Sequence, residues 1–246
     1  MKRLWFILTI LFTAVNMQLV AQVQDTVSVK DTVVAQVVQK KVPDLSPDLE
    51  KIRDFADSRK YSKLMRRYEK NDPTMSVNDY RQLYFGYVFQ PEYQPYQKND
   101  YSQSISTLYY KEHLSRVECD SIIKYAEMSL KDDPFDLQQM NYLIYAYKEK
   151  KKHNLARHWQ TRLNNVLRAI LSTGTGETQE TAWHVINIGH EYALINFMSP
   201  HYVVERQEFI EPHYDHIILK RISEHLPAGF YFNIKYMLDD FDRSGN

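Results

Sequence analysis

Residues 172–198 read STGTGETQETAWHVINIGHEYALINFM, and this stretch decides the fold. It holds three of only six glycines, at Gly174, Gly176 and Gly189. Where glycine is scarce, a closely spaced pair marks backbone that a side chain would disfavour, such as a helix C-cap or a left-handed turn. Before Gly174 the apolar spacing is helical. After Gly176, residues 181–188 and 190–198 are rich in β-branched and aromatic side chains and are separated by Gly189, which predicts a β-hairpin.

Upstream, the helical period is sustained from Pro47 to Ala169. Ser46-Pro47-Asp48 has the form of a helix start, with Ser as N-cap and Pro at the first helical position. Ile52, Phe55, Ala56, Tyr61, Leu64, Met65 and Tyr68 predict two short helices or one bent one. Ser76 caps a helix carrying Tyr80, Leu83, Tyr84 and Tyr87 on one stripe. A loop at residues 90–96 follows, then further helix at 104–113. Three amphipathic segments come next. Ile122, Ile123, Ala126 and Leu130 mark the first, Leu137, Met140, Leu143, Ile144 and Tyr147 the second, and Ala156, Trp159, Leu163, Val166, Leu167 and Ile170 the third. Pro134, Leu143, Tyr147 and Ala156 fall at the spacing of a tetratricopeptide repeat, although Ile144 stands where that motif takes a small residue and no clean second copy is visible at a period of ~34 residues. The charge run from Lys148 to His153 reads as the solvated turn between two hairpin helices.

Downstream, residues 215–222 and 229–236 are strand candidates and residues 201–209 are ambiguous. The expectation is therefore an α+β fold, a tetratricopeptide-like helical-hairpin array over residues 47–172 followed by a small antiparallel β-sheet over 173–242.

The start of the chain has the layout of a signal peptide: Lys2 and Arg3, an apolar run from Leu4 to Val15, and Ala21 before Gln22. That run is shorter than the ~20 residues a spanning helix needs. Cleavage after Ala21 would place Leu19 at position −3, and no cysteine follows for a lipoprotein anchor. Residues 22–46, rich in Val, Thr and Gln, read as a flexible leader closed by Pro43. The expectation is an exported protein, periplasmic or secreted, without an integral span once the signal is removed. Acidic and basic residues balance at 31 each. Losing Lys2 and Arg3 leaves about −2, and such a charge gives no reason to expect nucleic acid or an anionic membrane as partner. The single Cys119 cannot form an internal disulfide and reads as a small apolar group near a helix start.

The candidate sites are few. The turn Gly174-Thr175-Gly176-Glu177 looks like a phosphate loop only superficially, because it follows a helix and lacks the Gly-Lys-Ser/Thr ending; Glu177 is kept as a contact candidate. His184, His190 and Glu191 are the sharpest chemical hint. A zinc-protease signature needs two His four residues apart on a helix, whereas these are six apart in a strand-like stretch. Six of nine histidines fall between His184 and His225, so Glu211, His213 or His216 could complete a metal site. Tyr93 and Tyr96, in a proline-bounded loop, suggest an exposed aromatic platform for a glycan or peptide of the cell envelope. No cofactor motif is present.

Taken in order, the Leu83 to Tyr87 helix segment, Tyr93 and Pro95, the repeat-like hairpin, Gly174-Thr175-Gly176, His190-Glu191-Tyr192 and Tyr231-Phe232-Asn233-Ile234 give a resemblance. The chain resembles an exported bacterial family, common in the Bacteroidetes, defined by a domain of unknown function (DUF4919-like), over roughly residues 47–242. Members of that family carry Ser-Gly-Asp-Gly at the central turn, and Thr175 stands here in the Asp place, which removes a possible acidic ligand. The resemblance implies no activity. Two functions remain, a non-enzymatic binding or scaffolding protein using a helical groove and the aromatic loop, and a metal-dependent hydrolase using His184, His190 and Glu191.

Overall fold

The computed structural model describes residues 45–96, 100–105, 107–108, 111, 113–199, 201–221 and 226–244. Residues 1–44, which were expected to hold a signal and most of a leader, lie outside the described residues, as do Tyr109, Tyr110 and His225.

The helices begin where short polar side chains satisfy free backbone donors. Helix α1 (Leu49–Ala56) is capped by Asp48, which accepts from the Lys51 amide. The cap is therefore two residues later than Ser46, and Pro47 precedes the helix instead of opening it. Ser58 caps α2 (Arg59–Glu69), so the two-helix alternative holds for this region. Full capping boxes start α3 (Val77–Gly86), from Ser76 and Asp79, and α5 (Arg116–Asp132), from Ser115 and Glu118. A 3-10 turn, Tyr87–Phe89, follows α3, and the short α4 (Asp100–Ile105) precedes α5. Asp136 caps α6 (Leu137–Glu149), and α7 (His153–Leu171) completes the helical part. Helix α6 lies between α5 and α7, and α7 also packs on α3. The stripes read from the sequence are the buried faces: Ile122, Ala126 and Leu130 on α5, and Ala156, Leu163, Val166, Leu167 and Ile170 on α7.

The fold as a whole is α+β as expected, but the C-terminal third, expected to be an antiparallel β region, has a different layout. A two-residue strand β1 (Trp183–His184) is followed by helix α8 (Gly189–Met198), strands β2 (Val204–Ile210), β3 (Tyr214–Leu219) and β4 (Gly229–Asn233), and helix α9 (Lys235–Ser244). The strand order is β1-β4-β3-β2. The sheet is mixed, not purely antiparallel, because β1 runs parallel to β4 with Trp183 opposite Phe232.

The expected hairpin across Gly189 does not form. Asn187 starts a helix there: its side chain accepts from the Gly189 amide at 2.8 Å and its carbonyl from the His190 amide at 3.0 Å. His190, Glu191, Leu194 and Ile195 are the buried residues of α8, at a spacing that fits a helix and cannot line one face of a strand. Two of those four are titratable, which hid the stripe from a hydrophobicity reading.

The glycine pair does form a tight turn. The amides of Thr175 and Gly176 both donate to the Thr181 carbonyl, and Gly176 has φ 71°. The Trp183 indole donates to the Gly174 carbonyl at 3.0 Å, and the Tyr231 amide of β4 donates to the Gly176 carbonyl at 2.8 Å. The turn thus ties the end of α7 to the sheet. One apolar core runs from Ile52 on α1 to Met237 on α9. Phe135 sits at its centre, fully buried, with the rings of Tyr68, Tyr84 and Tyr87 at 5.3, 5.6 and 5.4 Å. A smaller cluster contains Ile105, Cys119, Ile122 and Ala146, which places Cys119 near the start of α5 as a buried apolar group.

Candidate functional site

The candidate residues of the C-terminal third face different neighbours. The His190 ring is buried against α3, with Nδ1 2.7 Å from the Tyr84 hydroxyl. The Ile186 amide donates to that same hydroxyl at 3.3 Å, so the Tyr84 oxygen bridges the segment before α8 and the His190 ring. Nε2 makes no hydrogen bond. Burial pushes the His190 pKa down to about 3, against a smaller opposing contribution from the Phe135 backbone.

Glu191, next in sequence, points to the sheet. It is fully buried beside Asp215 of β3, and the Gln207 amide of β2 donates to Asp215 Oδ2 at 2.5 Å and to Glu191 Oε2 at 3.4 Å. The Tyr192 hydroxyl donates to the Gln207 side-chain oxygen. Burial, then the Asp215 charge and a hydrogen bond with it, push the Glu191 pKa up to about 9. Asp215 is also raised, mainly by burial. Two carboxyls this close and this buried disfavour the doubly charged state.

His184 is half-buried on β1, its Nδ1 3.5 Å from the Tyr236 hydroxyl of α9. His213 packs at a tilt against Tyr214, and His216 stacks on Tyr231. The structure thus brings His190 to Tyr84, Glu191 to Asp215 and His184 to Tyr236. Among the described residues, no group of three or more His, Cys, Asp or Glu side chains is arranged to hold a metal ion. Glu177 is exposed in the glycine turn.

The aromatic loop separates in the same way. Tyr93 was expected at the surface, and it is only 7% exposed, its hydroxyl donating to the Ile186 carbonyl at 2.7 Å. A phenol with one in-reach carbonyl acceptor buries well, and Tyr93 is a tie between the loop and the segment before α8. Tyr96 is 54% exposed, with its ring edge-on to Phe241 at 5.9 Å.

A concave feature lies elsewhere, between α2, α5 and α7, with the turn after α3 also in its lining. It has a volume of about 610 Å³, within the usual range for ligand sites. Tyr61, Tyr68, Tyr87 and Trp159 supply aromatic wall, and Glu69, Glu92, Glu127 and Asp132 supply carboxylates. Arg162 is fixed at one end: its guanidinium carbon lies over the Tyr68 ring at 4.5 Å and over that of Trp159 at 4.4 Å, and it donates to the carbonyls of Tyr68 and Glu69. The Tyr61 side chain is buried in the lining and its hydroxyl has no hydrogen-bond partner. Burial raises that hydroxyl's pKa, with smaller contributions from Tyr87, Glu92 and Tyr68 around the groove.

The sequence offered a signal for both features that were missed. Tyr61, Met65 and Tyr68 recur at helical spacing and include the groove wall, although they read only as core. Asp215 alternates with Ile217 and Leu219 on the buried face of β3, and an acid in that position calls for a partner.

The fold and groove define an α+β protein with a helical ligand-sized cleft and a small mixed sheet. Within that class, the chain belongs to the family described as Domain of unknown function (DUF4919), whose model matches residues 49–243. No curated protein and no solved structure matches the chain. No helix among the described residues is long and apolar enough to cross a membrane.

Proposed function

We propose that this is a non-enzymatic binding or scaffolding protein that acts outside the cytoplasm and holds its partner in the groove between α2, α5 and α7. The observation that carries the reading is the lining itself: aromatic wall and exposed carboxylates converge on one cleft of about 610 Å³, and such a mixture of apolar faces and a few polar groups suits recognition. The helical hairpins α5–α6 and α6–α7 act as the repeat-like frame that holds two sides of the cleft at fixed spacing. The signal-like residues 1–21 support export, with a mature protein starting near Gln22; N-terminal sequencing of secreted material checks this, and a retained Met1 contradicts cleavage.

The test compares crosslinked cell-envelope partners of the native chain and of a Trp159→Ala variant by quantitative mass spectrometry. Far-ultraviolet circular dichroism verifies that the variant is folded. A partner enriched by the native chain and lost in the variant supports the groove as the contact surface. An identical partner set in both sinks it.

A further inference from the structure

The groove's charge and its unsatisfied hydroxyl say more than that something binds there. Glu69, Glu92, Glu127 and Asp132 are all exposed, and they come from three parts of the chain: the end of α2, the segment after the 3-10 turn and the second half of α5. None of the four is in a salt bridge among the described residues. Glu127 accepts only the Tyr147 hydroxyl, at 2.8 Å.

Two cations line the same cleft. Arg162 is already committed, since its fork is used by the Tyr68 and Glu69 carbonyls and the Asn71 side chain. Those acceptors are neutral, so Arg162 keeps its charge, and with Lys131 the lining holds two cations against four carboxylates, an acidic excess of two. Carboxylates spread around a rim favour an incoming positive charge and speed its encounter, more so at low salt. The wall adds aromatic edges and faces beside them, a setting in which ammonium and guanidinium groups gain from the ring quadrupole. Arg162 demonstrates that combination inside the cleft, lying on two rings while donating to oxygens.

Tyr61 is an independent pointer. Its side chain is 5% exposed and its hydroxyl is unpartnered at the groove lining. A buried hydroxyl without a partner costs stability, so a ligand donor that reaches it recovers a lost hydrogen bond.

We infer that the groove takes an extended peptide segment carrying lysine or arginine side chains, with the exposed glutamates at its rim as the charge partners. This inference rests on the groove being the binding surface.

The test is titration calorimetry of the purified chain with a lysine homotetramer, a glutamate homotetramer and chitotetraose, in low and moderate salt. The lysine peptide is expected to bind, more weakly as salt rises. A Glu69→Gln/Glu92→Gln variant, altered only at exposed positions, should weaken it by roughly three- to thirty-fold, from two surface charge pairs. Tyr61→Phe should weaken it as well while keeping or raising Tm, because the change deletes an unsatisfied hydroxyl. Equal affinity for the two peptides, or affinity indifferent to the Glu69→Gln/Glu92→Gln change, overturns the basic-peptide assignment. Binding of chitotetraose alone, abolished by Trp159→Ala, overturns it while leaving the groove as the contact surface. Absence of binding by all three probes also overturns it, and the envelope crosslinking comparison then decides separately whether the groove binds anything.

Discussion

Tyr84 and His190, 106 residues apart in the chain, are joined by a buried 2.7 Å hydrogen bond between the phenol and imidazole Nδ1. Their rings lie 5.6 Å apart, and the same Tyr84 ring packs edge-on to Phe135. The bond links α3 to α8 at the point where the helical part meets the C-terminal third. Because the Tyr84 hydroxyl also accepts from the Ile186 amide, one oxygen anchors both the start of α8 and the segment before it.

Tyr84→Phe should therefore destabilise the fold by about 1–3 kcal/mol, the cost of leaving buried polar groups unpaired. Urea denaturation measures it. A double-mutant cycle with His190→Asn separates the pair from the Ile186 contact. Additive losses in that cycle would mean that the two side chains are not coupled.

The two neighbours on α8 should give opposite pH dependences. His190 has a folded pKa near 3, below the ordinary 6.5, so the unfolded chain binds the extra proton and its contribution to stability falls as pH drops from 6.5 toward 3. Glu191 has a folded pKa near 9, above the ordinary 4.5. Here the folded chain binds the extra proton, and the contribution is full below pH 4.5 and is lost as pH rises toward 9. Glu191→Gln keeps the neutral shape and removes the titration. The stability difference between Glu191→Gln and the native chain should grow in favour of the variant across pH 4.5–9, with a slope approaching ~1.4 kcal/mol per pH unit. A difference that stays flat across that window would show that the carboxyl is charged in the fold.

How much of this was legible in the sequence depended on which force set the local structure. Short capping side chains and apolar stripes are local, and Ser76, with the buried faces of α5 to α7, could be read without coordinates. The glycine turn was legible because Gly174 and Gly176 are required by the backbone. Helix α8 was not, because its buried stripe is built from His190 and Glu191, whose partners Tyr84 and Asp215 lie far away in the chain. Tyr93 was misplaced for the same reason: its burial depends on a carbonyl at Ile186, beyond any window of local pattern. The groove combines α2, α5 and α7, so its lining is a property of packing, and each of its aromatic residues had a sufficient local reading as core.

The two turn glycines should differ in how badly they tolerate a methyl group. A Cβ at Gly174 would lie 2.1 Å from the Thr181 carbonyl oxygen, and one at Gly176 would lie 2.6 Å from the Trp183 ring. Backbone held by two amide donors cannot yield, whereas an indole can tilt. Gly176→Ala also carries the ~1–2 kcal/mol penalty of a left-handed residue. Both variants should be destabilised, Gly174→Ala the more, by upwards of ~3 kcal/mol. Guanidinium midpoints with unchanged slopes measure the order, and a Gly174→Ala protein as stable as the native one would mean that the turn can re-form.

Arg162 is the last case, because charge and shape can be separated there. Helix α2 ends with Asn71 at φ 51°, a left-handed cap in which the Asn71 amide returns to the Tyr68 carbonyl. Arg162 completes that end from α7, with Nη2 reaching the carbonyls of Tyr68 and Glu69 at 2.9 and 3.0 Å and Nε reaching Asn71 Oδ1 at 3.1 Å. Those three bonds need a planar fork lying between two rings, which an ammonium cannot reproduce. Arg162→Lys should therefore lose most of what Arg162→Met loses, about 2–4 kcal/mol for several buried hydrogen bonds from a charged donor. Trp159 emission should shift in both variants as the guanidinium leaves its ring. If Arg162→Lys instead retains native stability, the positive charge alone holds the end of α2, and the two rings are incidental neighbours.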